Sequence, residues 1–132
     1  MLLKFFFNEE VIPTTQDGSD SNGIPRLFPS SGNEYEGKAR FKVHAGADDQ
    51  AADADLVSEI SQWTTSHRLR GVSYVYVRLS FDSDVYPNGV PNISFEVEGK
   101  KVFDPRSSAT AFSSNPALCI RDYLLNSIFF FF

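Results

Sequence analysis

Regular alternation of apolar and polar residues in three short segments constrains the fold of this chain more than any other feature. The segments are ARFKVH (39–44), SYVYVRLSF (73–81) and ISFEVE (93–98). A period of two residues is typical of a β-strand that buries one face and exposes the other. Because each strand has a polar face and the connections are too short for helical crossovers, the sequence predicts antiparallel pairing.

Each segment divides its residues between two faces. The set predicted to face inward consists of Phe41, Val43, Val75, Val77, Leu79, Phe81, Ile93, Phe95 and Val97. The set predicted to form the polar face consists of Arg40, Lys42, His44, Tyr74, Tyr76 and Arg78. Gly99 and Lys100 predict a tight turn that joins the third strand to KVF at 101–103.

Two helices are predicted beside the sheet. The first begins after Asp53 or Asp55 and carries Leu56, Ile60 and Trp63 on one face, at the spacing of an amphipathic helix.

The second helix is indicated by SSNPALCIRDYLLN at 113–126. Asn115 is a favourable N-cap, and Pro116 suits the first helical position, where a missing N–H costs nothing. The apolar residues Leu118, Ile120, Leu124 and Leu125 leave little polar surface on this helix. A helix that is apolar on most sides needs partners on most sides, so Leu118, Leu124 and Leu125 are predicted interface residues.

These elements predict an α+β fold that is mainly β, an antiparallel sheet or sandwich with two short helices. The length of 132 residues suits one domain. Residues 1–37 are predicted to form an N-terminal strand and a loop-rich arm, because proline and glycine punctuate 8–37. Residues 38–132 are predicted to form the β-rich body with its C-terminal helix.

Seven of the thirteen phenylalanines lie at the two ends of the chain, at 5–7 and 129–132. Exposed runs of phenylalanine promote aggregation. Two interpretations follow: the ends form sticky strands at an edge, or the chain is a piece of a larger protein whose neighbours cover them. The second is preferred, and Phe129 and Phe130 are added to the predicted interface. Neither end is long enough for a secretory leader or a membrane span.

The charge balance argues against a nucleic-acid partner. The net charge is −5, whereas binding to duplex DNA requires clustered cations. The single cysteine, Cys119, excludes an internal disulfide.

An acidic segment could be a metal site, a catalytic pair or the start of a helix. It contains Asp48, Asp49, Asp53, Asp55 and Glu59. A calcium-binding loop that began at Asp48 would need glycine at its sixth position, where the sequence has Asp53. Acidic residues stabilise a helix N-terminus, so the helix start is predicted, without a metal or other cofactor.

No spacing points to a catalytic site. A nucleophilic triad would place His44 or His67 beside a serine or Cys119, with a carboxylate behind it; nothing in the sequence indicates this. Cys119 is predicted to be buried and inert among apolar neighbours. A small cell-wall hydrolase that uses two of the acidic residues is kept as an alternative, and the prediction is a protein without enzymatic activity.

A second alternative is a carbohydrate- or receptor-binding module. Trp63, Tyr74, Tyr76 and Arg78 could form its ligand surface, since aromatic side chains stack on sugars and anchor interfaces. The structural alternative is cross-strand packing under a covering loop.

Several motifs occur together and in order between residues 38 and 125. They are the aspartate–alanine run, W-T-x-x-H-R-L-R-G, Y-V-x-V-R-L, G-V-P-N-I-S, G-K-K-V-F-D-P-R and S-x-N-P-A-x-x-x-R-D-Y-L. In this order they resemble the tail tip attachment proteins of lambda-like long-tailed bacteriophages, the central hub and host-specificity family.

The resemblance implies a structural module of the phage tail tip that supports host attachment. Its implied partners are other tail tip proteins, copies of itself in a trimer, and a receptor on the host surface. The implied location is the virion, after assembly in the bacterial cytoplasm. No catalytic residues are implied for this part of the family.

Overall fold

The computed structural model describes residues 3–125, whose regular secondary structure is mainly β, with two helices. The strands are β1 (Leu3–Phe7), β2 (Glu10–Ile12), β3 (Thr14–Ser19), β4 (Pro25–Pro29), β5 (Ala39–His44), β6 (Tyr74–Leu79), β7 (Ile93–Val97), β8 (Val102–Asp104) and β9 (Ala109–Ala111). The helices are α1 (Ala54–Glu59) and α2 (Pro116–Leu125). The predicted fold class is confirmed, because the pairs β1–β2, β3–β4, β4–β5, β5–β6 and β8–β9 are antiparallel and two helices accompany the strands.

The chain divides into two compact units. The first unit spans Lys4–Phe95. The second consists, within the described part, of Leu3 and residues 96–125. The sequence predicts a domain boundary between residues 37 and 38, and β4 and β5, the strands on either side of it, pair in one sheet.

Two sheets build the first unit. One has the strand order β2-β1-β7, and the other has the order β3-β4-β5-β6. Phe5 of β1 stacks on Phe41 of β5 with ring centroids 4.3 Å apart, and Phe7 meets the edge of Tyr35 at 4.8 Å. The contact between Phe5 and Phe41 packs one sheet of this unit against the other.

Two of the three phenylalanines near the N-terminus are core residues. Phe5 and Phe7 are each 1 % exposed, because alternation along β1 turns both to the buried side. Both interpretations of the chain ends expect exposed phenylalanines at the N-terminus, and for Phe5 and Phe7 that expectation is wrong. Residues 129–132, including Phe129 and Phe130, lie outside the described residues.

The prediction of a loop over residues 8–37 is also wrong. The strands β2, β3 and β4 all lie there. The sequences TTQDGS and PRLFP lack clean alternation. Among the strands of residues 3–125, β3 pairs only with β4, with a register shift between Gln16 and Ser19. Such an edge strand exposes most of its side chains, so it has no hydrophobic period to detect.

The first helix is shorter than predicted. Asp53, one of the two helix starts that the sequence left open, is its N-cap, and the Asp53 side chain accepts a hydrogen bond from the Leu56 N–H. The helix ends at Glu59, and Ile60 has extended backbone angles at the C-cap. Trp63 therefore lies beyond the helix.

The predicted hairpin through Gly99 and Lys100 does not form. β8 pairs with β9 in a separate two-stranded sheet. Three of the residues predicted to face inward are exposed: Phe81, beyond the end of β6, is 83 % exposed, Val97 is 52 % exposed and Phe95 is 38 % exposed.

The N-terminus of α2 agrees with the prediction. Pro116 is the first helical residue, and the Asn115 side-chain oxygen accepts a hydrogen bond from the Ala117 N–H at 3.0 Å. The Cys119 N–H donates to the Asn115 carbonyl at 3.2 Å. Asn115 therefore fixes where the helix begins.

Replacing Asn115 with alanine should destabilise the first turn of α2 by about 1 kcal/mol, because the Ala117 N–H loses its acceptor. Hydrogen exchange in that turn should then be roughly five times faster. Ser114→Ala, one residue earlier, is the control and should leave exchange unchanged. Equal exchange rates in the two variants would contradict the capping role.

Candidate functional site

The polar face of β5 is buried rather than exposed. Lys42 is 0 % exposed and His44 is 2 % exposed, so the prediction of a half-buried strand is wrong. The turn at Asp20 and the acidic segment around α1 supply the groups that contact this face. Charged side chains can be buried when opposite charges accompany them.

Lys42 lies at the centre of the resulting charge cluster. Its Nζ is 2.5 Å from Asp20 Oδ2 and 2.7 Å from Asp53 Oδ2. Asp55 Oδ2 lies further away, at 3.2 Å. Burial by itself lowers the pKa of Lys42, but the hydrogen bonds with Asp20 and Asp53 outweigh it, and the pKa is raised. The resting Lys42 is therefore an ammonium ion among carboxylates.

Backbone N–H groups hold the other oxygen of Asp20. The N–H groups of Asn22 and Ile24 both donate to Asp20 Oδ1, each at 2.9 Å. Burial acts to raise the pKa of Asp20, but the bonds with Lys42 and these amides lower it below its ordinary value.

Asp53 combines the helix cap with two side-chain contacts. Its Oδ1 accepts from the Leu56 N–H at 2.9 Å, and its Oδ2 lies 2.6 Å from His44 Nε2. The His44 ring stacks on Tyr74 with centroids 4.3 Å apart and planes within 4°. Although burial acts to raise the pKa of Asp53, the bonds with His44 and Lys42 bring it well below its ordinary value.

A second layer of ion pairs surrounds this centre. Arg26 binds both oxygens of Asp55, at 2.9 and 2.6 Å, which lowers the pKa of Asp55 to about 2. Glu59 accepts from Arg40 at 2.8 Å and from the Tyr76 hydroxyl at 2.6 Å. The acidic segment is thus both a helix start and the counter-charge of the strand.

The remaining acids of this segment, Asp48 and Asp49, are exposed. Among residues 3–125, no group of His, Cys, Asp and Glu side chains is arranged to hold a metal ion. In the buried cluster, the Lys42 ammonium lies where the carboxylates converge.

The residues of the predicted ligand surface make internal contacts. Tyr74 stacks on His44, and Tyr76 binds Glu59. Arg78 lies 3.1 Å from Glu59. Trp63 packs on His67 in the loop after α1, with centroids 5.1 Å apart. Carbohydrate binding by these residues stays a prediction.

The predicted interface residues of α2 differ in exposure. Leu118 is 8 % exposed, so it belongs to the interior of the second unit, where α2 packs on β8. Leu124 and Leu125 are 56 % and 61 % exposed. Ile120, which the sequence placed among the apolar residues of the helix, is 60 % exposed. Cys119, predicted to be buried, is exposed, so that prediction is wrong.

Comparison of the chain with protein-family models, with curated proteins and with solved structures finds no match. Within the described residues, neither helix has the length and apolar character needed to cross a membrane.

Proposed function

We propose that this chain is a non-enzymatic structural module of a bacteriophage tail tip, acting through protein–protein contacts. The observation that carries the proposal is the exposed apolar face of α2. Ile120 and Leu124 are one helical turn apart, on the side away from the buried Leu118. Both side chains are more than half exposed.

The composition of the second unit supports an assembly role. Its buried apolar side chains, among the described residues, are Val102 and Leu118. Its exposed large apolar side chains are Val97, Phe103, Phe112, Ile120, Tyr123, Leu124 and Leu125. Fully burying a leucine or isoleucine side chain contributes about 1.5–3 kcal/mol. A partner that covers this surface would supply burial that the unit lacks.

The contacts that hold α2 in place use its polar side chains and do not cover its apolar face. Lys100 Nζ pairs with Asp122 at 2.6 Å, and the Arg121 guanidinium lies 5.4 Å from the Phe103 ring centroid. These contacts join α2 to the segment around β8 through side chains other than Ile120 and Leu124. The helix is thus held in place while its apolar side remains open to a partner.

The tail tip assignment is supported by the sequence resemblance between residues 38 and 125. The motif S-x-N-P-A-x-x-x-R-D-Y-L coincides with the cap and body of α2. The proposed partners are other tail tip proteins and further copies of this chain, arranged as a trimer in the virion, in support of attachment to a host receptor.

The double substitution Ile120→Lys and Leu124→Lys should abolish self-association without unfolding the chain, because both residues are exposed. Size-exclusion chromatography with light scattering over a range of concentrations measures the change. Wild type should form trimers, and the variant should be monomeric with an unchanged circular dichroism spectrum.

Phe81→Lys is the matched control, since Phe81 is 83 % exposed but lies in the first unit. This variant should associate like wild type. A wild type that is monomeric at every concentration, or an α2 variant that still associates, would contradict the proposed self-contact.

Antibody labelling of purified phage particles in the electron microscope tests the proposed location. Label anywhere except the tail tip would count against that location.

A further inference from the structure

Lys42 and Asp20 bring an amine and a carboxyl group into direct contact in a dry environment. Both side chains are 0 % exposed, and Nζ is 2.5 Å from Asp20 Oδ2. Holding two reacting groups together in this way removes the entropic cost of their encounter, and effective molarities can reach about 10⁵–10⁸ M. Excluding water also protects an amide product from hydrolysis.

We propose that Lys42 and Asp20 form an intramolecular amide bond, with Asp53 as the residue that transfers the proton. One proton passes from the Lys42 ammonium to Asp20 Oδ2, which gives a neutral amine and a carboxylic acid. The amine lone pair then attacks Asp20 Cγ and forms the C–N bond.

The second proton of the nitrogen passes to Asp53 and from there to the Asp20 hydroxyl. The C–O bond breaks with its electron pair, and one water molecule leaves. Asp53 ends in the carboxylate form in which it began, so it acts as a catalyst. The reaction needs no oxidant, reductant or external co-reactant.

The backbone around Asp20 stabilises the charge that develops during the attack. The negative charge of the tetrahedral intermediate accumulates on Oδ1, which already accepts hydrogen bonds from the N–H groups of Asn22 and Ile24 at 2.9 Å. Donors aimed at a developing oxyanion are often the largest single contribution to catalysis. Oδ2 is left to accept protons and depart.

Asp53 is placed to move the proton. Its Oδ2 is 2.7 Å from Lys42 Nζ and 2.6 Å from His44 Nε2. The contact with His44 and the cap bond to Leu56 fix the orientation of the carboxylate. A general base within hydrogen-bond distance of the proton it removes meets the geometric requirement.

The charged forms of Lys42 and Asp20 that predominate in the folded protein make the reaction slow. Ion pairing keeps Lys42 charged and Asp20 ionised, so only the minor neutral pair reacts. Burial is the largest influence on both groups and favours that neutral pair. The bond is therefore expected to form after folding, as purified protein is incubated at neutral pH.

The bond would link strands that are not neighbours. Asp20 follows β3, Lys42 lies in β5, and β4 lies between them in the sheet. The cross-link would close this part of the sheet covalently, which suits a component that bears load in a particle.

Intact-protein mass spectrometry tests the proposal. After prolonged incubation, wild type should be lighter than its sequence by one water molecule. Tryptic digestion should join peptide 5–26, which contains Asp20, to peptide 41–68, which contains Lys42. A wild-type mass equal to the sequence mass overturns the proposal.

The digest separates the proposed bond from two other dehydrations. A bond from Lys42 to Asp53 or Asp55 would lie within peptide 41–68. A succinimide at Asp17–Gly18 would lie within peptide 5–26. Loss of water confined to either single peptide overturns the assignment to Lys42 and Asp20.

Asp53→Asn should keep the full sequence mass, because the proton-transfer group is lost. Asp49→Asn is the control, since Asp49 is an exposed acid of the same segment, and this variant should lose water as wild type does. Bond formation at the wild-type rate in a folded Asp53→Asn protein would overturn the role of Asp53.

Discussion

Replacing Lys42 with methionine is expected to lower the free energy of unfolding by about 3–5 kcal/mol. The reason is the burial of its partners: Asp20 and Asp53 have side chains that are 0 % exposed, and both contact the Lys42 ammonium. Removing the cation takes the ammonium away from two carboxylates in a region that water does not reach, and Asp20 keeps only backbone N–H donors while Asp53 keeps His44 and the Leu56 N–H. Urea denaturation of wild type and variant measures the difference.

Lys38→Met is the matched control. Lys38 also pairs with an aspartate, Asp82, at 2.8 Å, but its side chain is 39 % exposed. Exposed ion pairs contribute little to stability because water and salt screen them. The unfolding midpoint of this variant should stay close to that of wild type. If Lys42→Met and Lys38→Met lowered the free energy of unfolding equally, burial would not be the reason for the effect of Lys42→Met.

A triple variant separates lost compensation from lost packing. Asp20→Asn and Asp53→Asn remove the uncompensated charges that Lys42→Met leaves behind. The triple variant should therefore be more stable than Lys42→Met alone. In protein where the proposed amide has formed, the lysine variant also loses the covalent link, which adds to the measured difference.

The strands with strong alternation could be predicted from sequence, and the weakly patterned ones could not. β5, β6 and β7 each show a period of two, and each was placed correctly to within a few residues. β3 lies at a sheet edge with mostly exposed side chains, so burial imposes no period on it. The cap Asn115 could be predicted, and the start of α1 could be narrowed to Asp53 or Asp55, because capping depends on local backbone chemistry.

The buried charge cluster could not be predicted from local pattern. Arg40, Lys42 and His44 have the sequence signature of a solvent-facing strand side. Their burial depends on carboxylates that are distant in sequence, such as Asp20, 22 residues from Lys42. One signal in the sequence could have indicated this cluster: a strand with three basic side chains is followed by a run of acidic residues of opposite charge. Pairing the two requires tertiary structure.

Acidification from about pH 5 to about pH 2 should reduce the stability of the first unit by several kcal/mol. Asp55 illustrates why stability should fall, rather than rise, as the pH is lowered. Its hydrogen bond with Arg26 lowers the folded-state pKa from 3.8 to about 2. A depressed folded pKa stabilises the fold above the unfolded value, and this contribution disappears as the pH falls through the folded value.

For Asp55 alone, the pKa difference corresponds to about 2 kcal/mol. The pKa values of Asp20, Asp53 and Glu59 are lowered too, so their contributions have the same sign. Denaturation by urea at a series of pH values gives the profile.

The variant Arg26→Met isolates the contribution of Asp55 to this profile. Without the guanidinium, the pKa of Asp55 moves back toward its ordinary value of 3.8. The free energy of unfolding should then fall less steeply between about pH 5 and pH 2 than in wild type. Arg70→Met is the control, because Arg70 forms no ion pair among residues 3–125, and its slope should match wild type. A wild-type stability that is flat across this range would show that the carboxylates of the cluster do not stabilise the fold through their charges.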